Sequence, residues 1–235
     1  MELLDGLDLE RLVVDFGAQP VGRVVQILIQ TLRSLAEAHD HGMVHRNIKP
    51  ANIYLCRLGL EVDVVKVLDF GLVAERTTGR SQLTGVGMVQ GTPAFMAPEQ
   101  AKAEPLDGRA DLYALGCVAY WLLAAKPLFD KEEPMALLVE QVTTTPRPLA
   151  SVAAQPIPSD LNDLVMQLLA KAPAERPGSA REVMRLLRAI RLTPEQEWST
   201  ERAEAWWALH HPIQIEGSMP ADADRQATVA VAPPA

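Results

Sequence analysis

The stretch Val44 to Leu55, VHRNIKPANIYL, sets His45, Arg46, Asn47, Lys49 and Asn52 around Pro50, between apolar residues. Two cations, an imidazole and two carboxamides so close together equip a loop to hold a charged ligand such as phosphate. No carboxylate stands among them to take a proton. The stretch therefore offers charge handling without a base of its own.

The elements that must position this loop follow from hydrophobic spacing. Pro20 to His41 predicts a helix, with Val25, Leu28, Leu32 and Leu35 on one stripe and Gly42 as its stop signal. HGMVHRNIKPANIYL follows as a loop with short flanking strands, and the β-branched VDVVKVLDF predicts a strand ending at Asp69-Phe70-Gly71. Arg76 to Thr92, rich in Gly, Ser and Thr, reads as a long loop of a length usually either functional or disordered. Asp111 to Ala125 is apolar on nearly all faces and belongs at the centre of the core. Met135 to Val142, Asp160 to Lys171 and Ser179 to Arg191 predict amphipathic helices. In the last, Val183, Leu186, Leu187 and Ile190 form the stripe, and Ser179 with Glu182 reads as a capping box. STERAEAWWALHH predicts a final helix, and residues 212–235 read as a disordered tail.

Composition narrows the classes. The chain has 235 residues, 48% hydrophobic, enough for one compact domain with a tail. A formal charge of −8 argues against nucleic acid as a partner. The longest apolar run, Leu112 to Ala125, is about 14 residues and too short to span a membrane. The acidic N-terminus lacks the basic start of a signal peptide. Cys56 and Cys117 both lie beside apolar residues and read as buried free thiols, so a reducing cytoplasm is the expected location.

Taken in order, HRNIKPAN, DFG at Asp69 to Gly71 and APE at Ala97 to Glu99 resemble the C-terminal lobe of a protein kinase of the bacterial serine/threonine type. Sixteen residues separate Asn52 from Asp69, and twenty-five separate Gly71 from Ala97. DLYALG and ERP follow downstream. The order makes the resemblance specific, since any one motif is weak. It covers residues 1–191, with 192–211 as a helical extension. It implies a protein kinase-like, α+β family fold, of which this chain holds mainly the helical large lobe with short β-hairpins around the catalytic loop. The implied reaction is transfer of the ATP γ-phosphoryl group to a protein Ser or Thr, with Mg²⁺. In such a reaction the protein chiefly positions groups and neutralises charge.

By that resemblance Asp69 is a Mg²⁺ ligand, the Asn52 amide oxygen holds a second Mg²⁺, and Lys49 reaches the γ-phosphate. Thr92 supports the loop and the Ser/Thr preference. His45 and Phe70 stack between the two motifs, and Asp111 anchors the loop. Arg46 would pair with a phosphorylated residue of the activation segment, for which Thr77, Thr78, Ser81 and Thr84 are candidates. Glu99 and Arg176 match a buried structural ion pair.

Two departures stand out. Asn47 takes the place of the proton-accepting Asp, giving HRN for HRD. A carboxamide can accept a hydrogen bond but cannot serve as the base, and losing general-base help costs ~10²–10⁴ in rate. Second, MELLDGLDLERL resembles the hinge between the lobes. Met1 then matches the gatekeeper, the backbone of Glu2 and Leu4 would bind adenine, Asp8 would reach the ribose, and Tyr54 would form the adenine floor. The small lobe, with its Gly-rich loop and strand lysine, is missing from the chain. GVGMVQG at Gly85 to Gly91 has one residue too many for a phosphate loop, and Lys66 in VVKV belongs to the strand before DFG. The expectation is a family member that is weak or inactive as this chain, with Tyr54 exposed and an apolar lobe interface open to a partner. That partner would be a protein substrate, a signalling protein or a small lobe encoded upstream or on another chain. The alternative is a pseudokinase that serves as a binding or scaffold module.

Overall fold

Residues 4–70 and 92–211 are described by the computed structural model of the chain. Strand β1 (Gly6–Asp8) runs straight into α1 (Leu9–Phe16), and the Asp8 side chain caps that helix by accepting from Arg11 N at 2.8 Å. Helix α2 (Val21–Asp40) buries the predicted stripe of Val25, Leu28, Leu32 and Leu35. Strands β2 (Ile53–Leu58) and β3 (Glu61–Val67) form the hairpin that follows the loop.

The hairpin gains a third strand. β1 pairs antiparallel with β2, so the sheet order is β1-β2-β3. Gly6 permits it, because a Cβ there would lie 2.2 Å from Leu55 O. The strand predicted ahead of the loop is not formed, as residues 43–49 carry no strand. Side chains hold their backbone amides in its place.

The other helices are α3 (Pro98–Ala101), α4 (Gly108–Ala124), α5 (Pro134–Thr143), α6 (Ser159–Leu168), α7 (Ala180–Ala189) and α8 (Thr200–His210). α4 is buried along nearly its whole length and sits at the centre, against α2 and α6. Cys117 lies within it and Cys56 in β2, both buried and neither in a disulfide. α6 ends at Leu168, three residues before the predicted end. The Ala170 and Lys171 carbonyls beyond it accept instead from the Arg176 guanidinium. Ser179 caps α7 as its sequence predicts, accepting from Glu182 N, while Glu182 Oε2 accepts from Gly178 N at 2.8 Å.

Residues 192–211 are tied to α2 and β3 through one carboxylate. Asp63 receives a bidentate pair from Arg23 at 3.0 and 2.7 Å, and the Trp198 and Trp207 indole N–H groups at 2.7 Å each. Four donors fill its lone pairs, which is what burial of a carboxylate demands. Among the described residues no helix is long and apolar enough to cross a membrane.

Candidate active site

One side chain holds the loop that follows α2. Asp111, in the first turn of α4 and 1% exposed, accepts from His45 N and from Arg46 N, each at 2.8 Å. His39 Nε2 lies 2.8 Å from the same carboxylate. Arg46 sits at φ 64, a left-handed conformation that costs a non-glycine residue about 1–3 kcal/mol. The paired amide bonds to Asp111 fix it there.

The His45 ring joins this loop to the end of β3. Its Nε2 donates to Leu68 O at 2.9 Å, its Nδ1 accepts from Asn47 N at 3.3 Å, and its face meets Phe70 edge-on at 4.6 Å. Leu68 N in turn donates to Asn52 O at 2.9 Å. Leu68 is thus clamped from both sides, and the next residue, Asp69, leaves the clamp at φ 62 with its carboxylate exposed.

Asn52 is buried and donates Nδ2 to Asn47 O at 2.9 Å. The acceptor Oδ1 is then the end of its amide available to a cation. Lys49 is half-buried and extended, immediately before the 3-10 turn Pro50–Asn52. An amide oxygen and one carboxylate at the end of a clamped strand suit Mg²⁺, which takes few protein oxygens and completes its shell with water and phosphate. Among the described residues no group of three or more His, Cys, Asp or Glu could hold a metal, so a dedicated all-protein cage is not what this donor set offers.

Across the sheet, Asp8, Tyr54 and Lys66 stand in one cross-strand row. Tyr54 is half-buried there, not exposed as its sequence position suggested, because β1 covers one flank. Asp8 Oδ1 is engaged in capping α1. Leu4, half-buried, leads into β1. Met1, Glu2, Gly71, Thr77, Thr78, Ser81, Thr84 and the Gly85–Gly91 run lie outside the described residues, as do residues 212–235.

Thr92 opens the strap Pro93–Phe95, a 3-10 turn that lies opposite the loop. A cavity of about 10 Å³ separates them, lined by Arg46, Asn47 and Ile48 on one side and Thr92, Phe95 and Met96 on the other. It has room for about one water. Arg46 Nε is buried with no partner among the described residues. Beyond the strap, Glu99 and Arg176 form a bidentate pair at 2.6 and 2.8 Å, both buried. Arg176 spends its remaining donors on the carbonyls of Ala170, Arg109 and Lys171, so all five are satisfied.

Several residues of this region escaped the sequence reading. His39 precedes the loop in AEAHDHGMVHRN and could have been flagged as a second imidazole six residues before His45. Asp63 is a lone carboxylate amid β-branched residues; on α2 Arg23 reaches its carboxylate and Gln30 its backbone carbonyl, two residues that share one helix face. Tyr113, Gln141 and Lys171 meet behind the strap, with no local signal to join them. Burial pushes the Lys171 ammonium down to about 8, the Cys117 thiol up to about 12, and the Tyr113 phenol upward.

Comparison with known proteins bears on this arrangement. The family described as protein kinase domain matches residues 1–186. The serine/threonine-protein kinase pkn3 of Myxococcus xanthus is 36% identical over 193 residues, 81% of this chain and 35% of its own length. The serine/threonine-protein kinase Pkn1 of the same organism is 41% identical over 179 residues, 76% of this chain and 25% of its own. The chain thus spans a quarter to about a third of these curated relatives. The crystal structure of the Mycobacterium tuberculosis PknI kinase domain superposes with a TM-score of 0.60 at 28% identity, covering 83% of this chain and 64% of that one.

Proposed function

The chain belongs to the protein kinase family, and from that premise we propose that its loop takes Mg²⁺ with ATP and passes the γ-phosphoryl group slowly to a protein serine or threonine. The observation that carries this reading is the clamp on Leu68, which ties Asn52 and His45 to the residue before Asp69. Phosphoryl transfer is mostly a matter of position and charge, and the bond between the Asn52 backbone and the residue before Asp69 supports reading these two as one cation site. Asn52 Oδ1 and Asp69 would hold Mg²⁺, and Lys49 would donate to the γ-phosphate oxygens. Bound Mg²⁺ would supply neutralisation of phosphate charge.

Asn47 sets the rate. Its carbonyl can accept a hydrogen bond from the acceptor hydroxyl and orient it, but it cannot keep the proton. That proton must go to water or to a phosphoryl oxygen. The test is phosphotransfer from Mg·ATP to dephosphorylated casein by the wild type and by Asn47→Asp. The variant should be faster by ~10²–10⁴, and Asp69→Asn should abolish turnover in both. Equal rates for wild type and Asn47→Asp would remove Asn47 from the acid-base position.

The same residue supports a second reading, a pseudokinase that binds a partner without turnover. Nucleotide-dependent stabilisation of the wild type with no phosphotransfer, alongside turnover by Asn47→Asp, would favour it.

A further inference from the structure

Behind the strap Pro93–Phe95 runs a buried polar relay that the proposed phosphotransfer does not use. Gln141, near the C-terminal end of α5, has no exposed surface, and neither has Tyr113 of α4. Lys171 Nζ donates to Tyr113 Oη at 3.1 Å and to Gln141 O at 2.8 Å. Tyr113 Oη donates to Gln141 Oε1 at 2.5 Å. Gln141 Nε2 donates to Ala94 O at 2.6 Å and more weakly to Pro93 O at 3.4 Å.

The direction of every bond is fixed. An ammonium can only donate, so Tyr113 accepts from Lys171 and gives its own hydrogen to Gln141. The amide must then turn its N–H₂ to the strap. Bonds aligned in one direction polarise each other, and the middle of the relay, Tyr113 and Gln141, is out of contact with water. What it holds is otherwise weakly made. The strap is a single 3-10 turn closed by Phe95 N to Thr92 O at 3.0 Å and Met96 N to Pro93 O at 3.3 Å. Turns of this kind have poor internal hydrogen-bond geometry.

The strap is also the wall opposite Asn47 across the small cavity. A protein segment bringing a hydroxyl to Asn47 must pass along it. We propose that Gln141 is a positioning residue: it fixes the strap Pro93–Phe95 at the height that admits the acceptor segment, with Tyr113 and Lys171 holding the Gln141 amide in register. The acceptor part of this rests on the phosphotransfer reading above.

The decisive variant is Gln141→Met, which keeps length and volume and removes the amide. Hydrogen exchange on the full chain reads the strap directly. The Phe95 and Met96 amides should exchange ~3–10-fold faster, the worth of one net hydrogen bond, while those of Leu112 to Leu115 in α4 stay at wild-type rates. Tyr113→Phe, which leaves the amide but not its donor, should give a smaller change in the same two amides. In an Asn47→Asp background, Gln141→Met should raise KM for dephosphorylated casein with KM for ATP and kcat unchanged. A general loss of packing would instead speed exchange in α4 and move both KM values, and that outcome overturns the proposal. So does unchanged exchange at Phe95 and Met96. Absence of phosphotransfer in Asn47→Asp would remove the proposed function without altering what the exchange rates say of Gln141.

Discussion

At the scale of single residues, Asp111 and Lys171 show how burial assigns work to a charge. Asp111 accepts two backbone amides and faces His39, all within 2.8 Å. Asp111→Ala strands two amides in a dry interior, and each unmet group costs about 1–3 kcal/mol. Urea unfolding should report that loss, and the Arg46 backbone should relax out of the left-handed region. Lys171 carries the opposite lesson. Its folded value, about 8, lies below its ordinary 10.5. Between those limits the unfolded chain binds more protons, so this group makes the fold more stable as pH rises from 8 to 10.5. Cys117 and Tyr113 shift upward and oppose it above about 9 and 10. The difference between wild type and Lys171→Met across pH 7–10 isolates the lysine: the variant should lack the rising component. Asp111, His45 and Asn52 were legible because they sit in motifs read in order. His39 and Gln141 were not, since their partners lie far along the chain and only folding brings them together.

Among elements, the ion pair between α3 and the segment after α6 is the most exacting joint. Glu99 and Arg176 are both buried, and every guanidinium donor is used. Glu99→Ala would leave that cation unpaired, at a cost of about 3–5 kcal/mol, measurable as a shift in urea midpoint at constant m-value. Replacing both partners by apolar residues of similar size should cost less, because no charge is then stranded. Helix periodicity made α2 and α7 visible from the sequence, since their apolar stripes are what the core buries, and α4 was visible as a run apolar on nearly all faces. Helix ends and short strands were harder. α6 stops early because Arg176 takes the carbonyls beyond it, and β1 exists only because Gly6 lets β2 approach. Neither cause is local.

For the molecule as a whole, residues 192–211 are part of the packed body. Trp207 is buried, Gln196 O accepts from Gly22 N at 3.1 Å, and a Cβ at Gly22 would stand 2.2 Å from that oxygen. Ending the chain at Arg191 would strip two indole donors from Asp63 and uncover the face of β3. The truncated protein should unfold at lower temperature and bind more of the dye ANS than the full chain. The sequence predicts this helix but could not say where it docks, because Asp63 lies 135 and 144 residues from the indoles it accepts. That docking has an optical consequence. Trp198 and Trp206 lie with the Arg23 guanidinium over their rings, at 5.0 and 3.9 Å, and Trp207 stands edge-on to Trp206. Three of the chain's four tryptophans are therefore gathered around one salt bridge. The protein's ultraviolet emission is a gauge of whether its C-terminal segment is seated.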